Sequence, residues 1–279
     1  MAESAFSHSV PPEDAEWIGG FPTPPTGPIR PVHAALSTVR LILNKEDTRQ
    51  VFEVLQALSG RTSKRLFARF VGTPYGRRVV GEPVRLEKIL GDRDRLRALS
   101  EASLGRAYLA FMEGENLTPE GLLASAEEAG IDYSGETEFE EFRRMFLHVS
   151  VSHDLWHVLT GYGRDALGEL CTLVFTRAQT YNPGLRLINA VGFLAQKAEA
   201  PGQPILAAMK EARLMGEGVD FLLRHDVEAL LPLPLEDVRR RLNFTTPTVY
   251  LGVPAKVRNA LLKPKLKKTQ AEREHAPAV

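Results

Sequence analysis

Apolar residues recur along most of the chain at steps of three and four, the spacing that lines one face of an α-helix. Val39 and Leu43, then Val51, Val54, Leu55 and Leu58, form the first such runs, and Gly60 stands where a helix would stop. Leu66, Phe67 and Phe70 carry the pattern to Gly72-Thr73-Pro74-Tyr75-Gly76, which is turn chemistry, and a second break falls at Gly81-Glu82-Pro83. Residues 85–90 and 94–99 are short helical candidates, and Leu104 to Met112 repeats large apolar side chains at helical steps. Thr118-Pro119-Glu120 has the form of a helix start, a hydroxyl cap followed by proline in the first turn.

Glu138 to Leu159 is a long amphipathic candidate that carries Phe139, Phe142, Met145, Phe146, Val149, Leu155 and Trp156. Gly161-Tyr162-Gly163 interrupts it, Ala166–Thr180 resumes it, and Asn182-Pro183-Gly184 ends it. Leu185–Lys197, Pro204–Leu223 and Pro234–Leu242 complete the series. No run alternates strictly over five or more residues, and no two strong β-runs flank an Asn-Gly or Asp-Gly turn. The pattern predicts an all-α fold, a single helical domain over 33–245 with no fixed-period repeat.

The flanks differ in composition. Seven of the nineteen prolines fall between residues 11 and 31, so 1–32 is expected to be an extended proline-rich arm. Residues 246–279 are expected to be a flexible basic tail: 252–279 hold seven bases against two acids, a net +5, while residues 1–35 carry −3. Such a tail could touch anionic lipid or nucleic acid. The alternative is a solvated, frayed end.

The 279 residues are 43% apolar and 25% charged, as in an ordinary globular chain, and Cys171 alone allows neither a disulfide within the chain nor a cysteine-built zinc knuckle. Thirty-five bases balance thirty-five acids, so no global field selects nucleic acid, and none is expected as a partner. The most apolar stretch, Leu185–Leu194, is ten residues long and contains Arg186 and Asn189, too short to cross a bilayer. The first base is Arg30, so the N-terminus resembles neither a secretory signal nor a transit peptide, and a cytoplasmic location is expected. Function must come from a local site.

Of seven histidines, His153 and His157 stand four apart on the long helix, so both imidazoles leave one face one turn apart and can share a metal. Asp154 lies about 100° round the helix, at the margin of that face. Glu169 follows His157 with eleven residues between. On an unbroken helix it would sit about 18 Å along the axis. A turn at Gly161-Tyr162-Gly163 would instead fold the next helix back and aim Glu169 at the histidines. Two histidines with one or two carboxylates leave coordination positions open, which marks a catalytic site. The plainer alternative is a hydrogen-bonded histidine pair on a helix surface. The motif is not His-Glu-x-x-His, since 154 is Asp, nor the paired Glu-x-x-His motifs of a di-iron bundle. His148 fits poorly as a further ligand.

His153-Asp154-x-x-His157-x11-Glu169 resembles the signature of the coenzyme Q biosynthesis protein 4 family. The context agrees: His153 to Tyr162 reads His-Asp-Leu-Trp-His-Val-Leu-Thr-Gly-Tyr, followed by Gly168-Glu-Leu170, Phe175 and Gln179-Thr180. Ser103 to Tyr108 with Phe111-Met112, and Pro234 to Leu242, are similar to the family as well. The resemblance spans about 35–245. It implies a helical protein of ubiquinone biosynthesis, a homodimer peripheral to the inner (cell) membrane and in contact with other quinone-biosynthesis enzymes. It implies loss of the carboxyl group from a polyprenylated hydroxybenzoate, with hydroxylation at the same ring carbon. His153, Asp154, His157 and Glu169 would then be both the catalytic residues and the ligands of a divalent metal: zinc or iron, with magnesium or manganese as further candidates. The alternative is a non-catalytic lipid-binding organiser of the enzyme complex.

Several other residues carry two readings. Phe139, Phe142, Phe146, Trp156, Phe175, Phe193 and Phe221 are ordinary core or the lining of an isoprenoid channel. Arg177 and Gln179 would orient a polar ring, or Arg177 would make a surface ion pair. Gly216 and Gly218 are weak as a phosphate loop. Arg239-Arg240-Arg241 is expected to be solvated.

Overall fold

A computed structural model describes residues 13–43, 48–82, 85–119, 121, 126–127 and 137–261. The chain is mostly helical, as the hydrophobic spacing predicts, with one two-stranded sheet among the described residues. That sheet lies in the proline-rich segment. Strands β1 (Glu16–Ile18) and β2 (Phe21–Thr23) pair antiparallel across a Gly19-Gly20 turn, with Trp17 opposite Pro22. Three-residue strands are too short to show alternation, and tertiary contacts hold these two. Thr23 is fully buried, Phe21 meets Phe67 edge-on, and Glu16 pairs with Lys64 at 2.6 Å.

Two helices follow, α1 (Pro31–Leu43) and α2 (Thr48–Ser59), packed on one another. Helix α1 is inverted. Its small residues Ala34, Ser37 and Thr38 are buried, whereas Val32, Leu36, Val39 and Ile42 are each more than half exposed. Helices α3 (Thr62–Val71), α4 (Pro74–Gly81), α5 (Leu86–Gly91), α6 (Arg93–Arg97) and α7 (Leu104–Gly114) then form one wall of the core. Thr118 accepts the amide of Gly121, the cap expected there, while Glu120 lies outside the described residues.

The centre of the molecule is α8 (Glu140–Thr160), in contact with α3, α4, α5, α7 and β2. Almost every residue from Val151 to Thr160 is buried, including Ser152, Asp154 and His157. Polar side chains are tolerated there only with partners, as where Ser152 and Thr160 donate to the carbonyls of His148 and Trp156 one turn back. Helix α9 (Ala166–Thr180) returns along the core and packs on α10 (Pro183–Glu199) and α11 (Ile205–Gly218). The predicted Pro204–Leu223 helix thus stops at Gly218, and a 3₁₀ turn at Leu222–Arg224 follows.

Short helices α12 (Val227–Leu230) and α13 (Leu235–Arg241) lead to α14 (Thr248–Gly252) and α15 (Ala255–Ala260), which pack on α11 and α9. Glu211 of α11 accepts the amides of Val249 and Tyr250 at 3.0 and 3.3 Å, a carboxylate cap on α14. Helical packing therefore runs on past residue 245, where the sequence reading begins the tail. Lys263, Lys265, Lys267, Lys268 and Arg273 lie outside the described residues, as do residues 1–12. Of the three consecutive arginines, Arg239 is not merely solvated. Its guanidinium donates to the carbonyls of Val158 and Leu159 at 2.7 and 3.0 Å, closing the C-terminal end of α8.

Candidate metal centre

The chain reverses between α8 and α9 through a turn that only glycine permits at two points. Gly161 ends α8 in the left-handed region at φ +79°, and a Cβ on Gly168 would lie 2.0 Å from the Gly163 carbonyl oxygen. The first turn of α9 can therefore press against the loop and bring Glu169 back to α8.

The result joins three side chains that are distant in sequence. His153 Nε2 and His157 Nε2 are 3.2 Å apart, and Glu169 Oε2 lies 3.5 Å from the first and 3.3 Å from the second. One ligand atom from each of the three falls within 4.8 Å of the others. Asp154 is buried but does not join this set. Its offset of about 100° from His153 round the helix accounts for that.

The orientation of His157 is fixed by its other nitrogen. Nδ1 is 3.0 Å from the Tyr162 carbonyl oxygen, which can only accept, so Nδ1 carries a proton and Nε2 is the nitrogen that faces His153 and Glu169. The Thr172 hydroxyl, which donates to the Gly168 carbonyl, is a further neighbour of Nδ1 at 3.2 Å. The ring of Phe111 stacks on the imidazole at 5.5 Å. His157 is 1% exposed and has little room to turn.

Electrostatics favour a cation. Burial alone would push the Glu169 carboxyl up, but hydrogen bonds and charge from His153 and His157 outweigh it and hold it well below the usual carboxylate range. Burial likewise disfavours charge on His153, yet the hydrogen bond to Glu169, with the Glu169 and Asp154 charges, raises its pKa above the ordinary histidine value. Arg164 Nε donates to the second oxygen, Glu169 Oε1, at 3.1 Å, which leaves Oε2 to face the histidines. Two imidazoles and an oriented carboxylate form the donor set of zinc and non-haem iron sites. The residues present fit a divalent metal.

His153 also forms part of the wall of a cavity of about 730 Å³. Phe142, Phe146, Val149 and Trp156 of α8, Val51, Phe52 and Leu55 of α2 and Leu173 of α9 line it, and Pro24, Pro25 and Pro28 close one side. Of the aromatic residues with two readings, Phe142, Phe146 and Trp156 border this space, whereas Phe175 and Phe221 are core. Gln179 does not reach it. Its side chain donates to the Gly216 carbonyl and accepts the Leu222 amide, tying α9 to α11. Arg177 Nε is buried without a hydrogen-bond partner.

Sequence reasoning missed the groups that support the three ligands: the Tyr162 carbonyl, Thr172, Phe111 and Arg164. Nothing in spacing signals a backbone carbonyl or a ring from another helix. Arg164, inside the glycine turn and five residues before Glu169, was the one visible hint.

Fold and site together define a class: a mostly helical protein in which two histidines one turn apart and a carboxylate from the next helix meet beside an apolar cavity. A family profile described as coenzyme Q (ubiquinone) biosynthesis protein Coq4 matches residues 28–248. The chain belongs to this family of ubiquinone biosynthesis proteins. It is 28% identical over 231 residues to the mitochondrial ubiquinone biosynthesis protein COQ4 homolog of Homo sapiens, with 81% of this chain and 83% of that protein covered. To the Bos taurus homolog it is 26% identical over 227 residues, covering 80% and 81%. Among solved structures, a ubiquinone biosynthesis protein from Nostoc punctiforme shares the fold, with a TM-score of 0.53 at 16% identity over 77% of this chain and 98% of that one. Among the described residues no helix is long and apolar enough to cross a membrane.

Proposed function

We propose that the chain is a metal-dependent enzyme of ubiquinone biosynthesis that removes the carboxyl group from a polyprenylated hydroxybenzoate. The observation that carries this reading is the placement of His153: one residue is both a member of the three-residue cluster and part of the cavity wall. A ring held at His153 would extend its prenyl tail along Phe142, Phe146, Trp156 and Leu55, side chains suited to an isoprenoid.

His153, His157 and Glu169 would hold the divalent cation, which supplies Lewis acidity toward a carboxylate or phenolate and, if iron, redox capacity for coupled hydroxylation. The rest is the work of the chain. Tyr162 and Thr172 keep His157 in one tautomer, and Arg164 fixes which oxygen of Glu169 faces the histidines. Asp154, buried beside His153, adds negative charge that favours a cation in the site. The apolar wall excludes water from the reacting ring.

Access from a membrane surface accords with α1. Its exposed Val32, Leu36, Val39 and Ile42 form an apolar stripe on a helix without acidic residues, and it follows directly on the Pro24–Arg30 segment that borders the cavity. Partners at that surface would be the other enzymes of quinone biosynthesis.

A second reading has the same cavity carry quinone intermediates to those enzymes without chemistry, since its lining is so largely apolar. Glu169→Gln separates the two, because it keeps the volume and removes the charge. As an enzyme, the variant folds, binds prenylated lipid, and fails to restore quinone production in a strain lacking the protein, with carboxylated polyprenyl-hydroxybenzoate accumulating. Normal carboxyl loss in cells that carry only this variant would refute the catalytic reading and leave the carrier.

A further inference from the structure

The segment after residue 248 lies beyond the family match, yet it meets the metal centre at the turn that builds it. Tyr250 is 1% exposed, and its hydroxyl makes two bonds there. It donates to Asp165 Oδ2 at 2.5 Å and accepts the Gly163 amide at 2.9 Å. The Arg258 guanidinium lies 4.3 Å over the Tyr250 ring and 3.4 Å from the same Asp165 oxygen. Asp165 is the N-cap of α9: its Oδ1 accepts the Gly168 amide, and its carbonyl accepts the amide of Glu169 itself. The ring of Tyr250 also meets the ring of Tyr162 edge-on at 5.2 Å.

The two ends of this turn serve two ligands. Near its start, the Tyr162 carbonyl takes the Nδ1 proton of His157. At its end, the Asp165 cap sets where α9 begins and hence where Glu169 points. Two residues from the C-terminal segment hold the turn between those ends.

We propose that Tyr250 and Arg258 are positioning residues for the metal centre, acting through the Gly161–Asp165 turn on His157 and Glu169. The inference rests on the metal reading above. Removing the Tyr250 hydroxyl leaves a buried carboxylate oxygen one partner short and a part-buried amide without its acceptor, so the turn relaxes to satisfy them. That relaxation moves the Tyr162 carbonyl and the α9 cap, and with them the ligand atoms. Groups bonded directly to the ligands, such as the Tyr162 carbonyl on His157, commonly govern metal affinity by 10–100-fold, and Tyr250 and Arg258 act through the turn that carries them.

The test compares wild-type chain with Tyr250→Phe, Arg258→Ala and Arg258→Lys, using zinc affinity by competition with a chromophoric chelator and the visible spectrum of the cobalt form. A core control on another helix, Val79→Ala, lowers stability without touching the turn. Tyr250→Phe and Arg258→Ala should each weaken zinc binding about 10-fold or more and shift the cobalt bands. Arg258→Lys, which keeps the charge beside Asp165, should recover part of the affinity, and Val79→Ala should lower Tm with wild-type affinity and spectrum. If Tyr250→Phe does not fold, Arg258→Ala, at the edge of the cluster, carries the test. Wild-type affinity and spectrum in the folded variants overturn the inference and leave the metal reading standing. Wild-type protein that takes up neither zinc nor cobalt overturns both.

Discussion

His157 and Tyr162 are joined by a hydrogen bond between the histidine Nδ1 and the tyrosine carbonyl oxygen, 3.0 Å apart, across the end of the helix that carries the histidine. The bond spans the Gly161 cap, so helix termination and imidazole orientation are one event. A ligand whose tautomer is fixed by the backbone needs no reorganisation to bind a cation.

The first prediction follows from that arrangement. His157→Ala should remove metal retention, because two remaining donors make too small a set. Since the side chain is fully buried against Phe111, the variant should also lose stability, by about 2–4 kcal/mol as for other large-to-small core changes. Metal analysis of chelator-free preparations checks the first part, and denaturant unfolding the second. Stoichiometric metal in a folded variant would remove His157 from the site.

The cavity gives the second. Leu173 lines it from α9, four residues beyond Glu169. Leu173→Trp should fill the space a tail needs and abolish co-purification of prenylated lipid while leaving metal content unchanged. Mass spectrometry of extracted lipid together with metal analysis decides it, and undiminished lipid would place the tail elsewhere.

A third concerns pH. His148 is enclosed by the rings of Phe70 and Tyr75, its Nδ1 has no hydrogen-bond partner, and burial pushes its pKa down to about 4. The unfolded chain binds this proton near the ordinary value of 6.5 and the folded chain does not. The His148 contribution to stability is therefore complete above pH 6.5 and declines as pH falls toward 4, by about 3 kcal/mol. His148→Phe should flatten that part of the pH–stability curve, as followed by urea midpoints. An unchanged slope would show that other groups produce it.

The fourth addresses α1. Leu36→Glu and Val39→Glu should weaken binding to anionic phospholipid vesicles, because they place acid in the middle of the exposed apolar stripe. Both positions are more than half exposed, so stability should change by less than about 0.5 kcal/mol. Co-sedimentation measures the effect. If vesicle binding persists and the variants change instead from dimer to monomer in sedimentation velocity, the stripe faces a second copy of the chain.

The helical architecture was legible from residue spacing, since an apolar residue every three or four positions needs no knowledge of what covers it. The predicted Leu185–Lys197 helix is observed as Pro183–Glu199, and Glu138–Leu159 as Glu140–Thr160. His153, His157 and Glu169 could be read as one candidate site because local signals sufficed: two residues on one helix face, and glycines where the chain had to turn. The tertiary structure decided the remainder. It excluded Asp154 from the cluster, set three-residue strands into the proline-rich segment, gave Arg239 to the end of α8, and carried helical packing through Tyr250 and Arg258. Each depends on a partner far away in sequence: Lys64 for Glu16, the Val158 carbonyl for Arg239, Asp165 for Tyr250. Periodicity records which side of an element is apolar, but a buried hydrogen bond depends on where a second element lies, and only the packed chain fixes that.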